Sequence, residues 1–138
     1  MRKITIFDHN KPGILADITT LLDQAKINIE NIDAFTQKGY GFVSLSVDKF
    51  DDALHTLKNA GRQAVIDPVI LLLLQDKPGA LAVITNRFKT ANINLESIRI
   101  LKRIPSTGFA LVGMTATAPS DEIKLLVKHN LVENHIAW

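Results

Sequence analysis

One stretch of this sequence occurs twice, at a constant spacing of 66 residues. Residues 11–19, KPGILADIT, return as residues 77–85, KPGALAVIT. Further positions recur at the same spacing without a gap, namely Ala25, Ile27, Asn28, Glu30 and Ile32, matched by Ala91, Ile93, Asn94, Glu96 and Ile98. Regular self-similarity of this kind is typical of a chain built from repeated structural units. We therefore divide the chain into two copies of one module, residues 1–67 and residues 68–138.

Composition narrows the functions that such a chain can have. The net charge is +2 with scattered basic residues, which gives no electrostatic argument for binding nucleic acid or an anionic membrane. The longest apolar run, Val69–Leu74, is too short to span a bilayer, so we expect no membrane association. The sequence has no cysteine, which removes disulfides and thiol nucleophiles and is compatible with a reducing cytosol. We therefore expect a cytoplasmic protein.

No pattern in the sequence indicates catalysis. The four histidines do not recur between the copies and lack the spacing of metal ligands. No Ser-His-Asp order, glycine-rich phosphate loop or paired-carboxylate pattern is recognisable. We accordingly expect a protein that is not an enzyme and that has no metal and no cofactor.

The spacing of apolar residues predicts the order β-α-β-β-α-β in each copy. In the first copy the strands are predicted at Lys3–Phe7, Asn28–Thr36, Phe42–Val47 and Gln63–Ile66, with helices around residues 15–25 and 51–60. In the second copy they are predicted at Val69–Leu74, Asn94–Leu101, Phe109–Thr115 and Val132–Ile136, with helices around residues 81–91 and 120–129. A single inserted residue in the second hairpin aligns Phe42 with Phe109. This order predicts an α+β fold of two ferredoxin-like modules, each an antiparallel sheet with both helices on one face.

The repeated Pro-Gly element is suited to binding a small anionic group. It leads into a helix, where unpaired N–H groups and the helix dipole favour a carboxylate. Pro12 restricts the chain, and Gly13 lets a ligand approach the backbone because it has no Cβ. Asn28 begins the next strand, and we expect it at the same end of the sheet as the loop, where its amide can both donate and accept hydrogen bonds.

These residues resemble the ACT domain, a βαββαβ regulatory module that usually binds amino acids. The pattern is DHNKPGILA followed by INI at residues 27–29, and it returns as LQDKPGALA followed by INL at residues 93–95. The resemblance covers essentially the whole chain. It implies ligand contacts from the loop before the Pro-Gly turn, the helix start and the strand asparagine. Carried over by position, the implied site residues are Asn10, Lys11, Pro12, Gly13, Ile14, Leu15 and Asn28 in the first copy, and Asp76, Gly79, Ala80, Leu81 and Asn94 in the second.

The resemblance also implies how such a protein works. We expect a sensor or regulatory partner whose ligand, an amino acid or similar metabolite, lies where the loop of one copy meets a neighbouring copy. A homodimer of chains is expected, with an enzyme or transporter as the regulated target. The two copies differ at one implied contact, because Asp76 replaces Asn10 and exchanges an amide for a negative charge. The second copy then binds poorly, binds something cationic, or does not bind.

Two other interpretations remain open at this stage. Residues 38–45, KGYGFVSL, nearly match the signature of the RNA-recognition motif, in which Tyr40 and Phe42 would point away from the helices and stack on bases. We rank this alternative second, because the second copy loses the pattern and the net charge is low. The other alternative is a module that serves only in assembly, since Pro-Gly is also an ordinary structural start of a helix.

Overall fold

The computed structural model describes residues 2–132 of the chain. It divides into two compact units, Met1–Asp67 and Pro68–Trp138, which we call unit 1 and unit 2. Each unit combines antiparallel strands with two helices. The predicted α+β class and the ferredoxin-like arrangement are thereby confirmed.

Unit 1 follows the order β-α-β-β-α-β. Its elements are β1 (Ile4–His9), α1 (Ile14–Gln24), β2 (Ile29–Gln37), β3 (Tyr40–Val47), α2 (Phe50–Asn59) and β4 (Gln63–Ile66). The strands lie in the order β2-β3-β1-β4, and every neighbouring pair is antiparallel. β1 and β3 are therefore central, and β2 lies at one edge of the sheet.

The core of unit 1 lies between α1, α2 and one face of the sheet. Ile14, Ile18 and Leu22, one helical turn apart, are the buried residues of α1. They share one cluster with alternate residues of the central strands, Ile4, Ile6, Val43, Leu45 and Val47. This period of two along the strands and of about four along the helix is what the sequence pattern predicts for an antiparallel sheet covered on one face.

Unit 2 repeats this arrangement. Its elements are β5 (Ile70–Gln75), α3 (Ala80–Thr90), β6 (Leu95–Ile104), a 3-10 turn (Pro105–Thr107), β7 (Phe109–Ala116) and α4 (Ser120–Val127). Its strands lie in the order β5-β7-β6. Of the last predicted strand, Val132–Ile136, residues 133–136 lie outside the described residues. Just before them, Leu131 bridges Leu72, and the N–H of Val132 donates to the carbonyl oxygen of Leu71 at 3.0 Å.

The alignment of the two hairpins differs from the prediction. Phe7 pairs with Phe42 in unit 1, and its counterpart Leu73 pairs with Leu111 in unit 2. The offset on this strand is therefore 69 residues, and aligning Phe42 with Phe109 is wrong. The extra length lies in an irregularity of β6 between Ile100 and Lys102 and in the 3-10 turn. A slip of two residues keeps every side chain on the same face, so the hydrophobic pattern could not distinguish the two alignments.

The first prediction concerns the core of unit 1. Leu22→Ala removes a fully buried side chain at the helix–sheet contact and should lower the free energy of unfolding by about 2–5 kcal/mol. The measurement is urea unfolding followed by circular dichroism. Leu15→Ala on the same helix is the matched control, because Leu15 is 45% exposed and its truncation should cost much less. Equal losses in the two variants would contradict this description of the core.

Candidate functional site

A cavity of about 240 Å³ opens in unit 1 beside the repeated Pro-Gly element. One wall is formed by the loop between β1 and α1 and by the first residues of α1. The other is formed by the β2–β3 hairpin. The lining residues are Asn10, Lys11, Gly13, Ile14, Leu15, Ala34, Phe35, Thr36, Gly41, Phe42 and Val43. The structure thus brings together five of the implied site residues of the first copy, while the hairpin wall was not anticipated.

The loop takes its conformation from Gly13 and from a hydrogen bond to the hairpin. Gly13 lies in the left-handed region, at φ +93°, where a side chain is strained, and it immediately precedes α1. Its carbonyl oxygen accepts the first helical hydrogen bond, from the N–H of Asp17 at 2.8 Å. The N–H of Asn10 donates to the carbonyl oxygen of Gly39 at 3.0 Å, which ties the loop to the hairpin opposite. The loop is therefore held at both of its ends.

Arg62 adds an electrostatic brace behind the loop. Its guanidinium lies 3.2 Å from Oδ2 of Asp17 in the first turn of α1 and 3.6 Å from Oδ2 of Asp8 in β1. The side chains of Arg62 and Asp8 are 19% and 25% exposed, which reduces the screening of that contact by water, whereas Asp17 is 64% exposed and its contact is more strongly screened. Arg62 follows Gly61 near the start of β4, far from the loop in the sequence. Only the pairing of β4 with β1 brings it there.

Gly41 forms part of the floor of the cavity. A Cβ added at this position would lie 3.3 Å from Cδ1 of Ile14 and 3.6 Å from Oδ1 of Asn10. The residue pairs with Asp8 on one side and with Thr36 on the other, so it lies within the sheet and not in the hairpin turn. The sequence predicted that this strand begins at Phe42, which left Gly41 just outside it, whereas β3 begins at Tyr40. Its pairing with β1 and β2 shows that Gly41 belongs to the strand, where it lines the cavity.

Asn28 lies at the other end of the sheet, so its expected placement beside the loop is wrong. Ile29, the first residue of β2, pairs with Val47, whereas the loop follows the end of β1 where His9 pairs with Tyr40. β1 and β2 both run antiparallel to β3, and they therefore start at the same end. The Asn28 N–H donates to Oδ1 of Asp48 at 3.0 Å, and its carbonyl oxygen accepts from the N–H of Asp48.

The second asparagine has the corresponding position in unit 2. Asn94 directly precedes β6, and its carbonyl oxygen accepts a hydrogen bond from the N–H of Thr117 at 3.2 Å. β5 and β6 both pair antiparallel to β7, so Asn94 too lies away from the Pro-Gly turn of its own unit. Neither asparagine can contact a ligand held at that turn within the same unit.

The loop of unit 2 repeats the backbone geometry of unit 1 with different side-chain contacts. Gly79 has φ +88°, and the N–H of Asp76 donates to the carbonyl oxygen of Gly108 at 3.0 Å, as Asn10 does to Gly39. The carboxylate of Asp76 pairs with Nε of Arg103 on β6 at 3.3 Å. Ala80 and Leu81 open α3 and are partly buried.

The aromatic pair of the RNA-binding alternative is not available for stacking on bases. Tyr40 is 0% exposed and Phe42 is 1% exposed. The ring of Phe42 already stacks on that of Phe35, with centroids 5.1 Å apart, and lies 6.4 Å from the centroid of Tyr40. The rings do lie on the sheet face away from the helices, as predicted, since their neighbour Val43 belongs to the helix-covered core. The assignment of an RNA platform is wrong because the face is buried.

Within residues 2–132, no group of three or more histidine, aspartate or glutamate side chains is placed to hold a metal ion. Over the same range, no helix has the length and apolar character needed to cross a membrane.

Comparison with known proteins identifies the first unit. The family model of the ACT domain matches residues 4–57, from β1 into α2. Unit 1 therefore belongs to the ACT-domain family, which confirms the resemblance for this half of the chain. Within the described residues, unit 2 repeats its motif and its order of elements as far as α4. Among curated proteins, none matches the sequence significantly.

Several solved structures are similar to the whole chain. Protein BT0572 from Bacteroides thetaiotaomicron is 22% identical, with a TM-score of 0.46, over 95% of this chain and 90% of that one. The regulatory subunit of aspartate kinase from Thermus thermophilus is 18% identical, with a TM-score of 0.43, over 92% and 88%. The small subunit of acetolactate synthase from Thermotoga maritima is 16% identical, with a TM-score of 0.40, over 96% and 89%.

The second prediction concerns the brace. Arg62→Ala removes both ion pairs behind the loop and should cost about 0.2–1 kcal/mol for each pair. Because the contacts flank residues 9–13, amide hydrogen exchange should speed up there and not in β3. Lys58→Ala, on the exposed surface of α2, is the control for loss of a positive charge. Unchanged exchange in the loop of the Arg62 variant would contradict this role of Arg62 and would show that the hydrogen bond from Asn10 to Gly39 is enough to hold the loop.

Proposed function

We propose that this chain is a non-catalytic regulatory protein with two ACT domains in tandem, and that unit 1 binds a small amino acid or a similar metabolite. The observation that carries the proposal is the cavity of about 240 Å³ at the Pro-Gly element of an ACT domain. A cavity of this size can accommodate a ligand no larger than a small metabolite, since sites for drug-sized molecules run from about 300 Å³ upwards.

The lining supports an amphipathic ligand with a carboxylate. Lys11 places a positive charge beside the start of α1, where the helix dipole also favours an anion. Asn10 and Thr36 offer hydrogen-bonding groups on opposite walls. The remaining walls include Ile14, Leu15 and Val43, which suit an uncharged side chain. An amino acid with a neutral side chain satisfies these features together.

A second copy of the chain is part of the proposal. β2 is an edge strand, Ile32 on it is 44% exposed, and Leu15 at the start of α1 is 45% exposed. An exposed apolar edge of this kind favours pairing with another strand. Homodimerisation along β2 would bring residues of a neighbouring copy beside the loop. A ligand that binds there would stabilise one arrangement of the copies over another, and a regulated enzyme or transporter could respond to that change.

The third prediction tests the proposed ligand class. Each of the twenty amino acids is added separately in a thermal-shift assay, at concentrations up to 10 mM. A ligand at a hundred times its dissociation constant adds about 2.7 kcal/mol to the stability of the folded state. The midpoint should then rise by several degrees for one or a few amino acids. No shift with any of them would contradict amino-acid binding and favour the alternative of a module that serves only in assembly.

The fourth prediction separates contacts within a copy from contacts between copies. Asn28 lies away from the cavity of its own unit, so any ligand that Asn28 contacts directly must be bound by another copy of the module. We expect Asn28→Ala to weaken amino-acid binding by about 0.5–1.5 kcal/mol, the usual loss of one hydrogen bond. Calorimetry measures the change, with the exposed Asn59→Ala on α2 as control. Equal affinity in the two variants would remove Asn28 from the site.

A further inference from the structure

We infer that unit 2 does not take up the ligand, because its Arg103–Asp76 ion pair closes the place that corresponds to the cavity of unit 1. Each chain then binds one ligand, although it carries the Pro-Gly element twice. This inference rests on the proposed function. It assigns Asn10, Thr36 and Gly41 as the residues that distinguish an open site from a closed one.

Sheet register defines which positions correspond. In unit 1, Gly41 pairs with Asp8 on β1 and with Thr36 on β2. In unit 2, Ala110 pairs with Leu74 on β5 and with Arg103 on β6. Asp8 and Leu74 are separated by the constant spacing of 66 residues, so these two sets occupy equivalent places. Ala110 therefore corresponds to Gly41, Arg103 to Thr36, and Asp76 to Asn10.

In unit 2 the ion pair joins two walls whose counterparts in unit 1 face an open space. Asn10, on the loop, and Thr36, on the strand, both line the cavity. Their counterparts Asp76 and Arg103 are bonded to each other, with Oδ1 and Nε at 3.3 Å. The guanidinium thus occupies the region between loop and strand. The pair is partly exposed, at 32% for Asp76 and 56% for Arg103, so it acts by filling space and adds little to stability.

Differences between corresponding apolar residues do not by themselves explain why the site is open in unit 1 and closed in unit 2. Ile100 on β6 takes the place of Ala34, and Ala110 takes the place of Gly41, so both add volume. Ala80 takes the place of Ile14 and, being smaller, leaves more free space at the start of the helix. Because these changes oppose one another, the closure depends on the ion pair.

The ion pair also argues against the alternative that unit 2 binds a cationic ligand. Asp76 adds a negative charge to the second copy, but Arg103 neutralises it within the same unit. Lys77 matches Lys11, and Asp76 and Arg103 cancel where unit 1 has neutral Asn10 and Thr36, so these three positions carry the same formal charge in the two units. The carboxylate of Asp76 is therefore already paired and gives no reason for unit 2 to prefer a cation.

Gly41 provides an independent way to narrow the open site. It lies within β3 and is not among the residues with positive φ, so an alanine fits its backbone without strain. Its new Cβ would enter the space between Ile14 and Asn10. This makes Gly41→Ala a better probe than a change at Gly13, whose left-handed conformation would be strained by any side chain.

The test exchanges the ion pair between the two units. The closing variant Asn10→Asp/Thr36→Arg installs it in unit 1, and the opening variant Asp76→Asn/Arg103→Thr removes it from unit 2. Isothermal calorimetry uses whichever of glycine, L-alanine, L-serine, L-threonine, L-valine and L-leucine gives the largest thermal shift. Thr56→Arg/Asn59→Asp on α2 carries the same chemical changes outside the cavity and serves as the control. Circular dichroism checks that every variant keeps the fold.

The inference requires one ligand per chain in the parent protein and in the control. The closing variant should lose binding, and the opening variant should gain a second site in each chain. Gly41→Ala should weaken binding by about tenfold or more through overpacking. Two sites in the parent, or normal binding by a folded closing variant, would overturn the inference and leave the proposed function standing. A parent that binds none of the twenty amino acids overturns both the inference and the proposal of amino-acid binding.

Discussion

The antiparallel pairing of β1 with β3 is the constraint on which the rest of unit 1 depends. It places the end of β1, and therefore the following loop, beside the start of β3 and the hairpin that precedes it. The hydrogen bond from Asn10 to Gly39 closes this contact, and the cavity lies between the two chain segments. The same pairing sends the start of β2 to the far end of the sheet, which removes Asn28 from the site of its own unit.

Unit 2 uses the same constraint with a different outcome. β5 pairs with β7, and Asp76 is tied to Gly108 as Asn10 is tied to Gly39. The loop and the hairpin are again neighbours, but here an ion pair connects their side chains. The longer hairpin, with its 3-10 turn, shifts the register of β7 by two residues from the alignment that the sequence favoured. The two units thus share one backbone arrangement, while the side chains at the corresponding positions make different contacts.

The stability of the loop comes from elements that are distant in the sequence. α1 contributes buried Ile14 to the core, while Arg62 holds Asp8 and Asp17 on either side of the loop. A hydrophobic contact on one side and a partly buried charge cluster on the other leave the backbone of the loop few alternatives. A ligand that binds a loop already held in place loses less conformational entropy on binding than one that must order it.

The sequence by itself determined the features that depend on neighbouring residues. The spacing of Ile14, Ile18 and Leu22 marks one face of a helix, Pro12-Gly13 marks the turn before it, and the repeat marks two units, because helical period and backbone restriction are local properties. Only the tertiary structure decided which residues meet across strands. Thr36 and Gly41 at the cavity, the far position of Asn28, and the contact of Arg103 with Asp76 all follow from strand register. A shift of two residues preserves the alternation of apolar side chains, so the sequence pattern excludes odd shifts but cannot choose between even ones, and packing between distant segments must.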